Sequence, residues 1–451
     1  MKNNGRTWDN NQRGKITDIF NDSLVDEVCS DINSIANTSM KDLVNKHENL
    51  LIFPGSLGYY NDGIESLPIF FLNDEILATG NIMGFVGKGN TQLTIHSRFY
   101  PRKNDYFLHY MLQRVFSINL FQLEANSTQE QLWDFLIYLF PVLLEKALRQ
   151  GIFREYQHFE FNDSRLKGAI DISRHLQSNI PFRGNIAYRT REYSYNNRIT
   201  QLIRHTIEVI QKKQRTRVIL TNNRGIKDAV DKIKHVTPDY RREQRQQVIA
   251  KNLRRISHPY YVDYLPLQKL CIQILRHEKL TYGNDEDKIY GILFDGAWLW
   301  EEYLNTILEQ CDFIHPENKT GNKRIALFED GSGHRFPDFY KGDIVIDAKY
   351  KRLGNDGYDR NDIHQLISYM HVLTAKIGIF MYPAEKPERP TPSTLKGCGG
   401  NVVKYGFNIA QNMNSFEEFS DAMESEERKT MKIIQEIQMP SHKYRNEQKV
   451  I

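Results

Sequence analysis

In the segment RFPDFYKGDIVIDAKYK two aspartates and a lysine stand where a short hairpin would bring them together. Side chains alternate along a strand, so in DIVIDAK the residues Ile344, Ile346 and Ala348 share one face while Asp343, Val345, Asp347 and Lys349 share the other. Asp347 and Lys349 therefore project from the same side, roughly 7 Å apart along the strand. Asp338 lies nine positions before Asp347, across a turn at Gly342, and can return to the same end of the sheet. Two neighbouring carboxylates repel and are costly to ionise together unless a cation sits between them. A hard divalent ion such as Mg²⁺ prefers oxygen ligands of this kind. With a lysine alongside to orient water or offset charge on a phosphate, the set suits metal-assisted hydrolysis of a phosphodiester.

These residues resemble the signature of the PD-(D/E)xK nuclease superfamily, with Pro337-Asp338 as its first half and Asp347-Ala348-Lys349 as its second. The resemblance implies a further acid on a preceding helix. LWEEYL offers Glu301 and Glu302, and Glu301 is the choice because it directly follows the apolar Trp298-Leu299-Trp300 face. One branch of the superfamily carries a Gln-xxx-Tyr pair on the helix after the core. Here the pair is Gln365 and Tyr369, an i, i+4 spacing that shares one helix face. The implied roles are Glu301, Asp338 and Asp347 as ligands of Mg²⁺, Lys349 assisting the attacking water, and Gln365 and Tyr369 supporting the site or the bound DNA.

The elements that must position these residues can be read from periodicity. LFDGAWLWEEYLNTILEQ reads as a helix, RFPDFYKGDIVIDAKYK as two strands, NDIHQLISYMHVLTA as a helix, and IGIFMYP and NVVKYGFNIA as strands. Strands alternating with helices point to an α/β domain with a central mixed sheet flanked by helices. Upstream, LLIFPG, LPIFFLND and TQLTIHSRF read as strands, and residues 105–148 as two helices. The apolar run Leu132–Leu148 carries Asp134, Glu145, Lys146 and Pro141, so a buried helix fits it better than a membrane span. RLKGAIDISRHL reads as a strand leading into a helix, NIAYRTREYSY as a strand with alternating basic residues, and NRITQLIRHTIEVIQKK as an amphipathic helix. The expected fold class is mixed α/β in three regions and a tail. Residues 1–155 form an N-terminal mixed α/β region, 156–285 a basic and largely helical middle, 286–440 the nuclease domain, and 441–451 a charged tail.

Beyond the nuclease core, three stretches together resemble the McrC family, the nuclease subunits of McrBC-type and LlaJI-like restriction systems of phage defence. They are GNIMGFVGKGNTQLTIHSRFYPRKNDYFLHYMLQRVF, RLKGAIDISRHLQSNIPFRGNIAYRTREYSYNNRITQLIRHTIEVI and FPDFYKGDIVIDAKYK. The resemblance implies an endonuclease subunit that cuts double-stranded DNA and stimulates a separate McrB-like AAA+ GTPase. GTP is then bound by that partner and not by this chain, and the two form a hetero-oligomer, with residues 1–155 contacting the GTPase. GFVGKGN does not supply a nucleotide loop here. Ile82 stands where a phosphate-binding loop needs its first glycine, and Gly89 where it needs Ser or Thr, so the stretch reads as a tight turn between strands. Two alternatives stay open: a stand-alone repair nuclease or exonuclease, and a regulatory scaffold that activates the GTPase without cutting.

Charge and cysteine content narrow the rest. The net charge of +4 is small, but residues 211–260 hold 14 Lys or Arg against 4 Asp or Glu. Such a segment either neutralises phosphates or forms a solvated helix face. Arg183, Arg189 and Arg191 are DNA-binding candidates, and Arg98, Arg102 and Lys103 face a partner, DNA or plain solvent. Cys29, Cys271, Cys311 and Cys398 form no CxxC pair, which leaves no zinc signature and fits reduced thiols of a cytoplasmic protein. The first residues carry no apolar run of a signal peptide, and no run of about 18 apolar residues marks a membrane span. No Gly-x-Ser-x-Gly elbow is present, so serine hydrolase chemistry has no support.

Overall fold

The structure is a computed structural model. It describes residues 3–20, 26–47, 50–54, 66–99, 105–116, 128–212, 218–221, 224–254, 256, 258–280, 289–316, 325–353, 358–388, 390–397 and 399–438. The chain divides into two compact units, one made of Met1–Phe121 together with Asp285–Ile451 and the other of Gln122–Asn284.

The first unit contains two five-stranded sheets. One has the order Asn3–Trp8, Thr91–His96, Ile82–Lys88, Ile289–Asp295, Leu50–Phe53. Ile289–Asp295 is buried along its whole length, as expected of a central strand with both faces covered. It runs antiparallel to Ile82–Lys88 and parallel to Leu50–Phe53, which pairs Gly291 with Leu50. Helices Asp26–Ile35 and Met40–Lys46 bury Val28, Ile32, Ile35 and Leu43 in one core with Val86, Leu93 and Leu293. This sheet changes the regional division expected from the sequence. Because Ile289–Asp295 completes a sheet begun in the first hundred residues, the N-terminal region groups with the C-terminal one rather than standing apart.

Two local expectations are corrected in the same sheet, and a strand with no sequence signal joins it. Asn3–Trp8 lies in a stretch with no strand signal, yet it pairs in parallel with Thr91–His96; its polar side chains alternate with Gly5 and Thr7, which face inward. LFD is the end of a strand and not the start of a helix, since Asp295 caps helix Gly296–Leu308. GFVGKGN is mostly strand, with the turn confined to Gly89 and Asn90. Gly84 is required there, because at φ +125° a side-chain carbon would lie 2.1 Å from the Ile292 carbonyl oxygen.

The second sheet has the order Phe339–Lys341, Ile344–Ala348, Ile377–Ala384, Asn401–Asn408, Thr391–Thr394. Its inner pairs are parallel and its outer pairs antiparallel, so the sheet is mixed. Helix Arg360–Val372 packs Leu366, Tyr369 and Met370 against Val345, Phe380 and Val402. Helix Gly296–Leu308 packs Trp300 and Tyr303 against Phe407, whose place in the strand alternation puts it on the opposite face from Val402. The fold is thus mixed α/β, the class read from the sequence.

The second unit combines a cluster of helices with a three-stranded antiparallel sheet in which Ile186–Ser194 lies between Glu155–Asp163 and Ala169–Ile170. Its principal helices are Thr128–Arg149, Arg198–Lys212, Arg224–Val236 and Tyr264–Leu280. Arg198–Lys212 buries Ile199, Leu202, Ile203, Ile207 and Ile210, the stripe its period dictates. No helix among the described residues is long and apolar enough to cross a membrane.

Candidate active site

Ile344–Ala348 is buried on both faces, with Val345 and Ile346 fully enclosed. The apolar run ends at Asp347, which shares Val345's face and is itself 0 % exposed. The hairpin turn at Gly342, φ +55°, sends the chain back so that Asp338 lies beside the end of this strand. Asp338 Oδ2 accepts the backbone N–H of Ala348 at 2.6 Å, which joins the two aspartates through the Asp347–Ala348 peptide.

Glu301 is supplied from the other side by helix Gly296–Leu308. Asp295 Oδ1 accepts the N–H groups of Ala297 (2.7 Å) and Trp298 (3.3 Å), starting the helix directly from the first sheet. Trp300 is fully buried and donates its indole N–H to the Met381 carbonyl at 3.3 Å, fixing the helix against the second sheet. Glu302 instead accepts from the Trp298 indole at 3.2 Å.

Burial raises the pKa of all three acids, and the charge of a neighbouring acid adds to it in each case. Asp338 is pushed up to about 7, by desolvation first and then by Asp347, against the pull of the Ala348 N–H and Lys349. Asp347 is raised by burial, with Lys349 opposing. Glu301 is raised well above the carboxylate range by burial, then by Asp338, Glu302 and Asp347. Lys349 Nζ lies 2.8 Å from Asp347 Oδ2. Burial alone would lower the lysine's pKa, but Asp347, Asp338 and Asp362 together outweigh it and hold the ammonium charged. Asp347 Oδ1 is buried without a hydrogen-bond partner among the described residues.

A chain of donors orients the lysine. Lys349 Nζ donates to Gln365 Oε1 at 3.4 Å, Gln365 Nε2 donates to the Tyr369 hydroxyl at 2.8 Å, and that hydroxyl donates to the Phe336 carbonyl at 3.3 Å. Gln365 and Tyr369 thus connect the lysine to the residue two places before Asp338.

Two further residues that the sequence did not single out meet here. Asp362 Oδ1 lies 3.6 Å from Lys349 Nζ, and its other oxygen is ion-paired with Lys351. Asp362 stands three residues before Gln365 on the same helix face, a spacing that could have flagged it. His315 stacks on Phe339 with centroids 4.8 Å apart. Its Nδ1 donates to the Asp338 carbonyl at 2.7 Å, which leaves Nε2 facing Glu301 Oε1 at 3.7 Å. A lone histidine before a proline carries no signal of this in the sequence.

The basic candidates fall differently. Arg98 is buried, with Nε 2.7 Å from Asp9 Oδ2, so it does not face solvent; Arg102 and Lys103 lie outside the described residues, as does the charged tail. Arg183 precedes the basic strand and is not part of it. Arg189 is held by Asp171 at 2.6 Å and Glu160 at 3.3 Å, whereas Arg191 lies over the Tyr156 ring at 4.4 Å.

Glu301, Asp338 and Asp347 are the residues that could hold a metal. Among the described residues no group of three His, Cys, Asp or Glu side chains is closed around a point as it stands. The donors nevertheless fit a hard cation: all are carboxylates, each is made costly to ionise by its surroundings, and Asp347 Oδ1 is unsatisfied.

No curated protein matches the chain. Two solved structures are similar at low identity. A refined half-complex from a tetradecameric assembly of Thermococcus gammatolerans McrB AAA+ hexamers with bound McrC aligns at 14% identity and a TM-score of 0.45, over 94% of this chain and 99% of that one. The Thermococcus gammatolerans McrBC complex aligns at 14% identity and a TM-score of 0.34, over 70% of this chain and 89% of that one. The family model described as McrBC 5-methylcytosine restriction system component matches residues 77–383, a span that runs from the first sheet through the second unit to the strand beside Asp347. With well over half of its length inside that match, the chain belongs to the McrBC restriction system component family.

Proposed function

We propose that this chain is the Mg²⁺-dependent DNA endonuclease subunit of a GTP-driven restriction complex, acting on double-stranded DNA beside a McrB-like AAA+ GTPase. The observation that carries the reading is the convergence of Asp338, Asp347 and Lys349 at one strand end, with Glu301 within electrostatic range and Gln365–Tyr369 behind the lysine. Mg²⁺ held by Glu301, Asp338 and Asp347 would supply Lewis-acid activation of the phosphodiester and of water. Lys349 keeps a positive charge where a phosphate would gain negative charge. The donor chain through Gln365 and Tyr369 limits where that charge can point, and Asp338's bond to Ala348 holds both acids to one peptide. The partner assignment is supported by family membership and by the failed nucleotide loop at Ile82–Gly89.

The test is plasmid cleavage with Mg²⁺, using the purified chain with and without a McrB-like AAA+ GTPase, plus GTP. Cutting only with partner and GTP supports the proposal. Cutting by the chain alone makes it an autonomous nuclease, and a stimulated GTPase without cutting of any DNA makes it a scaffold.

A further inference from the structure

The second unit holds an open hollow of about 810 Å³ that the proposed nuclease chemistry does not use. Arg154, Arg198, Lys251 and Arg254 line it with a single acid, Glu155. Arg198 is committed to structure. Its Nε meets Glu155 Oε1 at 3.3 Å, and its Nη1 donates to the carbonyls of Lys251 (3.1 Å) and Arg254 (2.8 Å). These bonds compensate the acid and anchor the turn that presents the other two cations. Lys251 and Arg254 are exposed, and neither has an ion pair among the described residues.

Arg154, Tyr156 and Tyr193 of its lining belong to a ladder of cations and rings that continues past the hollow to Tyr195 and Arg191. The Arg154 guanidinium lies 3.9 Å from the Tyr195 ring centroid and 5.8 Å from that of Tyr193. Tyr193 packs on Tyr156 with centroids 4.8 Å apart, and Arg191 lies 4.4 Å over Tyr156. A guanidinium over a ring keeps its N–H donors, so the ladder fixes these arginines while leaving them able to bind oxygen anions. Tyr156 is 58% exposed and Tyr193 45%, which leaves aromatic surface beside the cations.

We propose that this hollow binds the phosphodiester backbone of a nucleic-acid strand. Its volume suits a nucleotide-sized portion of ligand. Arg154, Lys251 and Arg254 line the hollow and Arg191 lies beyond it over Tyr156, a spread of charge that suits a chain of phosphates better than one small anion. Exposed tyrosines beside these cations offer sugars and bases a flat apolar surface. None of these residues belongs to the nuclease site, so binding here does not depend on cutting there.

The experiment is fluorescence anisotropy of the full chain with a labelled single-stranded oligonucleotide and with its duplex, in EDTA so that cutting cannot contribute. Replacing both cations, Lys251→Gln with Arg254→Gln, is expected to weaken binding by about tenfold and to reduce the slope of log affinity against log salt by about 1 to 2. Arg189→Gln, an arginine already held by acids, is expected to stay within about twofold, a control on general charge loss. Unchanged affinity and slope in the double variant, or an equal loss in the control, overturns the proposal. So does binding of a mononucleotide without binding of the oligonucleotide. If the double variant does not fold, Arg191→Gln reads the cation beyond the hollow: a shallower salt slope supports the proposal, and an unchanged one overturns it.

Discussion

Asp338 is tied to Ala348: its Oδ2 accepts that residue's backbone N–H at 2.6 Å, so one acid of the site grips the residue that separates the other acid from the lysine. The two acids and the lysine are electrostatically linked as well, so a change of charge at one is felt at the others.

Removing the charge of Asp338 separates stability from cutting. Asp338→Asn keeps an oxygen that can accept from Ala348 but loses the carboxylate repelled by Asp347. DNA cleavage should fall by at least about a hundredfold, while the melting temperature in EDTA holds or rises.

The same group sets a pH dependence. Asp338 titrates near 7 in the fold against an ordinary 3.8, so between those values the folded state binds more protons than the unfolded one. Its contribution is present at acid pH and is lost as pH rises through about 7; Asp347 and Glu301 act with the same sign. Melts in EDTA should move upward from about pH 8 to about pH 5.5, and Asp338→Asn should flatten that slope. A melting point that instead rises with pH would contradict the assignment.

Lys349→Ala removes the ammonium held by Asp347 and Gln365. Cleavage should drop about a hundred- to a thousandfold. Complex formation and stimulation of the partner GTPase should persist, which gel filtration and a phosphate-release assay check in parallel.

Tyr369→Phe cuts the donor chain at its anchor on the Phe336 carbonyl. The hydroxyl's loss should cost about 1 kcal/mol of stability and leave Lys349 less well directed. The expected signature is a cleavage rate about tenfold lower with near-normal DNA binding, read from single-turnover kinetics.

Glu427 sits far from this chemistry in sequence and makes a purely structural prediction. It is buried and accepts from the Tyr110 and Tyr303 hydroxyls, both at 2.9 Å, while Arg114 donates to its second oxygen at 2.8 Å. Glu427→Ala strands two hydroxyls and a guanidinium, and should destabilise by about 3 kcal/mol or more. Denaturant titration of the variant checks it.

The site was legible to the extent that its residues are close in sequence or bear a family's spacing. Asp338, Asp347 and Lys349 share one hairpin, so strand alternation alone predicts that they meet, and the i, i+4 rule does the same for Gln365 and Tyr369. His315 and Asp362 were hidden because their partners are fixed by tertiary packing, which no local period encodes. The fold was hidden where pairing overrode composition. Asn3–Trp8 is polar and carries no apolar alternation, yet a neighbouring strand supplies its hydrogen bonds. LFD looked helical because it abuts a strong helix, when in fact Asp295 ends one element by capping the next. The alternating Arg189 and Arg191 looked equivalent, and only their surroundings, two acids for one and a tyrosine ring for the other, distinguish them.

The strand Ile289–Asp295 imposes an order of events on the ribosome. Among the described residues Leu50–Phe53 pairs only with it in the first sheet, so Leu50 waits for this ladder partner until Gly291 has been synthesised. At translation rates of roughly 5–20 residues per second that interval lasts on the order of tens of seconds. Throughout it, a short and wholly apolar edge is left open on the nascent chain, LLIF, while the second unit emerges in between. The helix that carries Glu301 starts at the very residue after the closing strand. Completing the sheet and setting Glu301 in place are therefore one late step of biogenesis, and a chain stalled before it has neither.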